Sequence, residues 1–346
     1  MNSLQSDFWS RQRVLLVGGA GFIGHHLALR LKQQGSDVAV YDSLQVNNLG
    51  YLTSVYHSAP NAPLYIDFIN ERLALLHRRN IKIVVGDARD YHAVSRAVSE
   101  YRPTAIVHLA AVAHANRSNK DPFSTFDHSL RTLENVLDAS RGFNARFIYL
   151  SSSMVYGDFH GSAAKEDQQC SPLGIYGSLK LAGELMVKSY NQVFGCEFVI
   201  IRPSALYGER CVSRRVGQAF IESALTTGQL TVNGDGTDAL DFTYIDDLVS
   251  GLLLAISEKR ATGEIFNLTY GAARSINDLA DIVRSHFPRV TISHQPKDSL
   301  MPERGTLSIA KARELLGYSP EFSIDIGFSR YIDWYCQALP KSSQEH

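Results

Sequence analysis

The chain has 346 residues, 45% hydrophobic and 20% charged, which fits one large or two smaller soluble domains and excludes a disordered chain. Its 34 basic and 35 acidic residues leave a formal charge of −1, so it lacks the electrostatic footprint of a nucleic-acid or anionic-membrane partner. Four scattered cysteines, no apolar leader and no stretch able to span a bilayer predict a reduced, cytoplasmic protein with neither disulfides nor a metal centre.

Residues 1–11 read as a tail. From Arg13 onward, short aliphatic runs alternate with amphipathic stretches. Strands are predicted over Val14–Val17, Val38–Tyr41, Ile81–Val85, Ala105–His108, Phe147–Leu150 and Phe198–Ile201. Helices are predicted over Phe22–Gln34, Tyr91–Glu100, about Pro122–Arg141 and about Tyr176–Tyr190. This alternation predicts a doubly wound α/β fold, a parallel sheet with helices on both faces. The connection over residues 43–80 is too long for an ordinary crossover, and Tyr65, Ile66, Ile69, Leu73 and Leu76 mark a helix inside it.

Beyond Arg202 polar turns such as Asn233-Gly234-Asp235-Gly236 break the rhythm, and a smaller α/β substrate domain is expected. Leu248–Ile256 as a helix and Ile265–Leu268 as a strand return to the first domain. The expected division is residues 12–202 with about 241–268 for a cofactor domain, 203–240 and 269–338 for a substrate domain, and 339–346 as a second tail.

Gly18, Gly21 and Gly24 follow the first strand and open a helix. Gly18 permits a tight turn, Gly21 lets the backbone approach a pyrophosphate, and Gly24 allows close helix–strand packing. Asp42 lies 18 residues past Gly24, where a carboxylate accepts both ribose hydroxyls and repels a 2′-phosphate. The expected cofactor is therefore NAD, not NADP. Asp87 closes the third strand, either to accept from the adenine amino group or to cap the next helix.

The fifth strand ends in Ser151-Ser152-Ser153-Met154, at the sheet edge where such folds bind ligands. Tyr176 and Lys180 share one helical face downstream. A phenol is a poor base at neutral pH, and a nearby ammonium with an oxidised nicotinamide favours its phenolate.

From about Arg13 to Tyr335 the chain resembles the extended short-chain dehydrogenases/reductases of the nucleotide-sugar epimerase/dehydratase branch. The glycine turn, Asp42, His108-Leu109-Ala110-Ala111, the serine cluster and Tyr176/Lys180 carry the likeness, with Arg202-Pro203, Tyr207-Gly208, Asp241-Phe242-Thr243-Tyr244 and Lys311-Ala312-Arg313-Glu314-Leu315-Leu316-Gly317-Tyr318 further on. The resemblance implies Ser152, Tyr176 and Lys180 as the catalytic set, with Lys180 also holding the nicotinamide ribose. It extends the cofactor site to Phe22, Ile23, Ala88, Leu109, Ala110, Ala111, Ser129 and Pro203. It also implies a homodimer joined by two long helices from each copy, and Leu130, Leu133, Val136 and Leu137 offer apolar surface for core and interface together.

Dehydratases and decarboxylases of this branch carry acids just after the catalytic hydroxyl residue, where this chain has Ser153 and Met154. A thioether exchanges no protons, so oxidation and re-reduction of one carbinol is favoured: an NAD-dependent nucleotide-sugar epimerase acting at C4 of a hexose or hexuronic acid. The alternatives are an NAD(P)-dependent keto-sugar reductase or dehydrogenase, a nucleotide-sugar dehydratase or decarboxylase, and a non-catalytic dinucleotide sensor. Leu240 stands where the family usually places a diphosphate-gripping arginine, and Ser129 where a cofactor-side asparagine is usual. Arg214, Arg215 and Arg304 are the candidate replacements for that arginine, and Ser153 and His114 the further candidate substrate contacts.

Overall fold

The computed structural model describes residues 3–45, 49–57, 59, 61–112, 115–159, 161, 163–296 and 302–339. Its central sheet runs from β3 (Lys82–Val85) through β2 (Asp37–Asp42), β1 (Arg13–Val17), β4 (Ala105–His108), β5 (Arg146–Leu150) and β6 (Phe198–Arg202) to a seventh strand, Glu264–Asn267. All seven are parallel, with Val14 facing Val38 on one side and Ala105 on the other. Parallel neighbours need crossovers, which place helices on both faces, so the strands are apolar on both. Val14, Leu16, Val40 and Val107 enter one core, whereas Leu15, Val17, Ala39 and Ile106 enter the other. The strand order reverses between β1 and β4, and their carboxyl ends open a crevice there.

The connection between β2 and β3 carries helices Leu49–Ser54 and Ala62–Arg78. The longer one packs Phe68 against Trp334 and Tyr335 of the C-terminal helix Ile324–Ala338, with ring centroids 4.8 and 5.5 Å apart. After β6, three two-stranded pairs form beside the sheet: Leu206–Tyr207 with Thr243–Tyr244, Gln229–Asn233 with Thr291–Gln295, and Ala239–Leu240 with Arg274–Ser275. Helix Ile245–Ser257 packs back on helix Phe22–Gln34, and Glu264–Asn267 pairs with β6.

Two expectations need correction. Residues 3–10 are not a tail: Ser3–Ser10 is helical, and Trp9, only 4% exposed, joins the first core. The stretch about Pro122–Arg141 is not one α-helix but Pro122–Phe126, a wider π-type turn Asp127–Arg131, and Thr132–Ser140. Leu130, Leu133, Val136 and Leu137 are all buried in the second core, so they leave no apolar surface for an interface.

Candidate active site

The glycine turn leaves β1 as its geometry requires. Gly18 adopts φ +79°, and a Cβ there would strike the Ala110 backbone; one on Gly24 would strike Gly19. Gly21 heads helix Phe22–Gln34, and no side chain caps that end. Free N–H groups and the helix dipole thus face the crevice, a cradle that fits a pyrophosphate. Asp42 closes β2 beside it, its carboxylate accepting from Ala20 N at 2.9 Å and Leu44 N at 2.8 Å. Burial raises its pKa, and these two bonds oppose the rise. A carboxylate has about four acceptor sites, so room remains for ribose hydroxyls.

Asp87 is clamped by Arg89, whose Nη2 lies 2.6 Å away, and that contact lowers its pKa. It does not cap the following helix: Asp90 does, accepting from Ala93 N at 3.1 Å. Ala88 is buried, and its carbonyl accepts from Asn135 Nδ2 at 2.9 Å. Ser129 is buried on the π-type turn, and Phe22 packs edge-on to His26. The Leu109 N–H donates to Val17 O at 2.8 Å, which brings the Leu109–Ala111 segment alongside the glycine turn.

A cleft of about 680 Å³ opens from this crevice toward the small strand pairs. Ile23, Leu109, Ala111, Pro203, Ser152, Ser153, Tyr176, Lys180, Arg214, Arg215 and Arg304 all line it. His114 lies outside the described residues. Ser152 is extended and accepts from Met154 N at 3.2 Å, while Ser153 N donates to Pro203 O at 2.9 Å. Helix Gly174–Phe194 supplies Tyr176 and Lys180. Burial raises the Tyr176 phenol, and Arg215's charge and the Ser152 hydroxyl oppose that rise. Arg215 and Ser152 thus join Lys180, the group to which the sequence pointed, around the phenol. Burial also pulls Lys180 down to about 8, against the pull of Glu184.

The three arginines are not equivalent. Arg214 holds a left-handed backbone (φ +47°) and turns its Nε to Glu222 at 3.1 Å. Arg304 is pulled down to about 10 by burial and by the like charge of Arg215, with Asp238 opposing. Asp238 is the one carboxylate among the described residues lining the cleft.

The model of the NAD dependent epimerase/dehydratase family matches residues 14–269, most of the chain. The chain belongs to that family. It is thus an NAD-dependent enzyme of the epimerase/dehydratase type. A putative UDP-glucose 4-epimerase of Methanocaldococcus jannaschii is 29% identical, covering 93% of this chain and 97% of the relative. UDP-glucuronate 4-epimerase 4 of Arabidopsis thaliana is 27% identical, over 93% of this chain and 75% of the plant protein. The structure is also similar to the UDP-glucuronic acid 4-epimerase of Bacillus cereus, solved in complex with UDP-glucuronic acid and NAD. That likeness has a TM-score of 0.80 and 27% identity, over 94% of this chain and 100% of the other.

Sequence reasoning missed two buried carboxylates in this epimerase/dehydratase-type enzyme. Glu184 was legible, because it falls one turn beyond Lys180 on the same helical face. Glu222 was not. It accepts from Asn61 and Tyr65 of the long connection, from Gln218 and Arg214, and from Tyr335 of the C-terminal helix. Gln218 and Arg214 are near it in the chain, but Asn61, Tyr65 and Tyr335 are more than 100 residues away and leave no local signal.

Proposed function

We propose that this enzyme interconverts C4 epimers of a UDP-hexose or UDP-hexuronic acid, with NAD kept bound through the cycle. One observation carries the reading. The cleft holds Ser152, Tyr176 and Lys180 at the end of the sheet, with Ser153 and Met154 where elimination or decarboxylation would need extra acids. The named relatives and the Bacillus cereus structure support the choice of UDP-sugars and of C4.

In this reading Tyr176 takes the proton of the C4 hydroxyl while Ser152 hydrogen-bonds the same oxygen. Lys180 holds the nicotinamide ribose. When bound, NAD supplies the hydride acceptor and then the donor at C4. The Gly18–Gly24 turn holds the pyrophosphate, Asp42 the adenosine ribose, and Asp87 with Ala88 the adenine end. Ile23, Leu109–Ala111, Ser129 and Pro203 complete the cofactor wall. Arg215 and Arg304 grip the substrate diphosphate, with Arg214, Ser153 and His114 as further contacts.

We assign residues 12–202 with about 241–268 to the cofactor domain and residues 203–240 with 269–338 to the substrate domain. We further propose a cytoplasmic homodimer. Phe123, Leu185 and Val193 are 83%, 59% and 71% exposed on the segments Pro122–Phe126 and Gly174–Phe194, the apolar surface that pairing of these helices would cover. No described helix is long and apolar enough to cross a membrane.

The test is purified protein incubated separately with UDP-glucose and UDP-glucuronic acid, products resolved by NMR and NAD recovered afterward. A C4 epimer with NAD unchanged in amount is expected. Stoichiometric conversion of NAD to NADH, or a dehydrated or decarboxylated product, would replace this reading with one of the alternatives.

A further inference from the structure

Glu184 is 1% exposed and stands one helical turn beyond Lys180. Its carboxylate accepts three hydrogen bonds: from Ser151 Oγ at 2.6 Å, from Arg202 Nε at 2.9 Å and from Arg202 Nη2 at 2.7 Å. Ser151 directly precedes Ser152, and Arg202 closes β6. Ser151 and Arg202 are each 2% exposed. One carboxylate thus ties together the ends of two strands and the helix that bears Tyr176 and Lys180. Gly183 permits this close approach, because a Cβ there would overlap the Tyr149 hydroxyl.

A buried ion pair is a poor device for stability, since desolvation of both charges offsets most of their attraction. Apolar side chains of similar volume would hold the same three elements together. What they would not supply is a fixed negative charge one turn from a buried lysine. We infer that Glu184 is a positioning residue, which holds Lys180 in its charged form and keeps Ser152 in register with the helix carrying Tyr176. The inference rests on the proposed role of Lys180 in holding the nicotinamide ribose.

The other groups facing Lys180 do not do this. On its own helix, the Tyr176 ring centre lies 6.0 Å from the ammonium. From β5, the Leu150 carbonyl accepts at 2.6 Å and the Tyr149 ring centre lies at 5.2 Å. From β4, the fully buried His108 is held neutral, its pKa pushed down to about 3 by burial with a further push from Lys180. From β6, Arg202 is spent on Glu184. Burial drives Lys180 toward its neutral form, and Glu184 is the group that pushes back.

The test compares Glu184→Gln with the double variant Glu184→Gln/Arg202→Met, which removes the guanidinium that the single change leaves unpaired. For each, kcat and NAD affinity are measured across pH 6 to 10. Loss of the Glu184 charge should move the alkaline limb of both profiles down by about one pH unit, with about a fivefold lower kcat near pH 8. Glu184→Asp, which keeps the charge, should restore the limb. An unmoved limb in the folded variants, or failure of both to fold, assigns the pair to stability alone and overturns the inference. If the wild type turns over no UDP-sugar, the proposed function fails, while the pH dependence of NAD binding still decides the role of Glu184.

Discussion

The Lys180 ammonium donates to the Leu150 carbonyl at 2.6 Å, on the strand that delivers Ser152. The lysine is therefore anchored to the sheet and not to the Tyr176 phenol, whose ring centre is 6.0 Å away. Any help Lys180 gives to catalysis passes through its charge and through what it holds, and the pH response depends on both.

We predict that Tyr176→Phe lowers turnover by roughly two orders of magnitude or more, because it removes the phenol that the Ser152 hydroxyl and the Arg215 charge favour as the base. Bound NAD, measured after denaturation, should be unchanged. Near wild-type turnover would remove Tyr176 from the reaction.

Activity should fall as pH rises through about 8. Burial depresses Lys180 from its ordinary range to about 8, so the ammonium is present below that pH and lost above it. A kcat profile flat to pH 10 would show that the reaction does not use the lysine's charge.

NAD should bind more tightly than NADP, and Asp42→Ala should narrow the difference. The same change removes the acceptor for Ala20 N and Leu44 N, so both affinities should drop as the glycine turn loosens. Calorimetric titration with each cofactor reads this directly. Tighter NADP binding by the wild type would overturn the assignment of Asp42.

Among the cleft arginines, Arg215→Ala and Arg304→Ala should weaken nucleoside diphosphate binding by roughly 1.5–3 kcal/mol each. Arg214→Ala should cost less, because that guanidinium already pairs with Glu222. NAD affinity should not change. Equal binding by all three variants and the wild type would show that the diphosphate is held elsewhere.

Sedimentation at micromolar concentration should give a dimer, and Leu185→Glu/Val193→Glu should give a monomer. Both side chains point away from the protomer core, so the substitutions leave the fold intact. A wild-type monomer would refute the proposed pairing.

The sequence by itself determined the sheet and which candidate residues, Ser152, Tyr176 and Lys180, share one cleft. Strand alternation, the Gly18–Gly24 turn, Asp42, and the four-residue step from Tyr176 to Lys180 are local patterns. Each is set by backbone period or by steric need within a few residues. Helix Phe22–Gln34 falls on its predicted bounds for that reason. The caps and tails were less legible: Asp90 and Asp87 offer the same chemistry three residues apart, and only the helix start chooses between them. The fate of Trp9 was decided by a core assembled from residues distant in the chain. Tertiary structure alone also separated Arg214 from Arg215 and Arg304. The carboxylate that claims Arg214 is itself held by Asn61, Tyr65 and Tyr335, and a charge's partner depends on distance in space, which sequence separation does not encode.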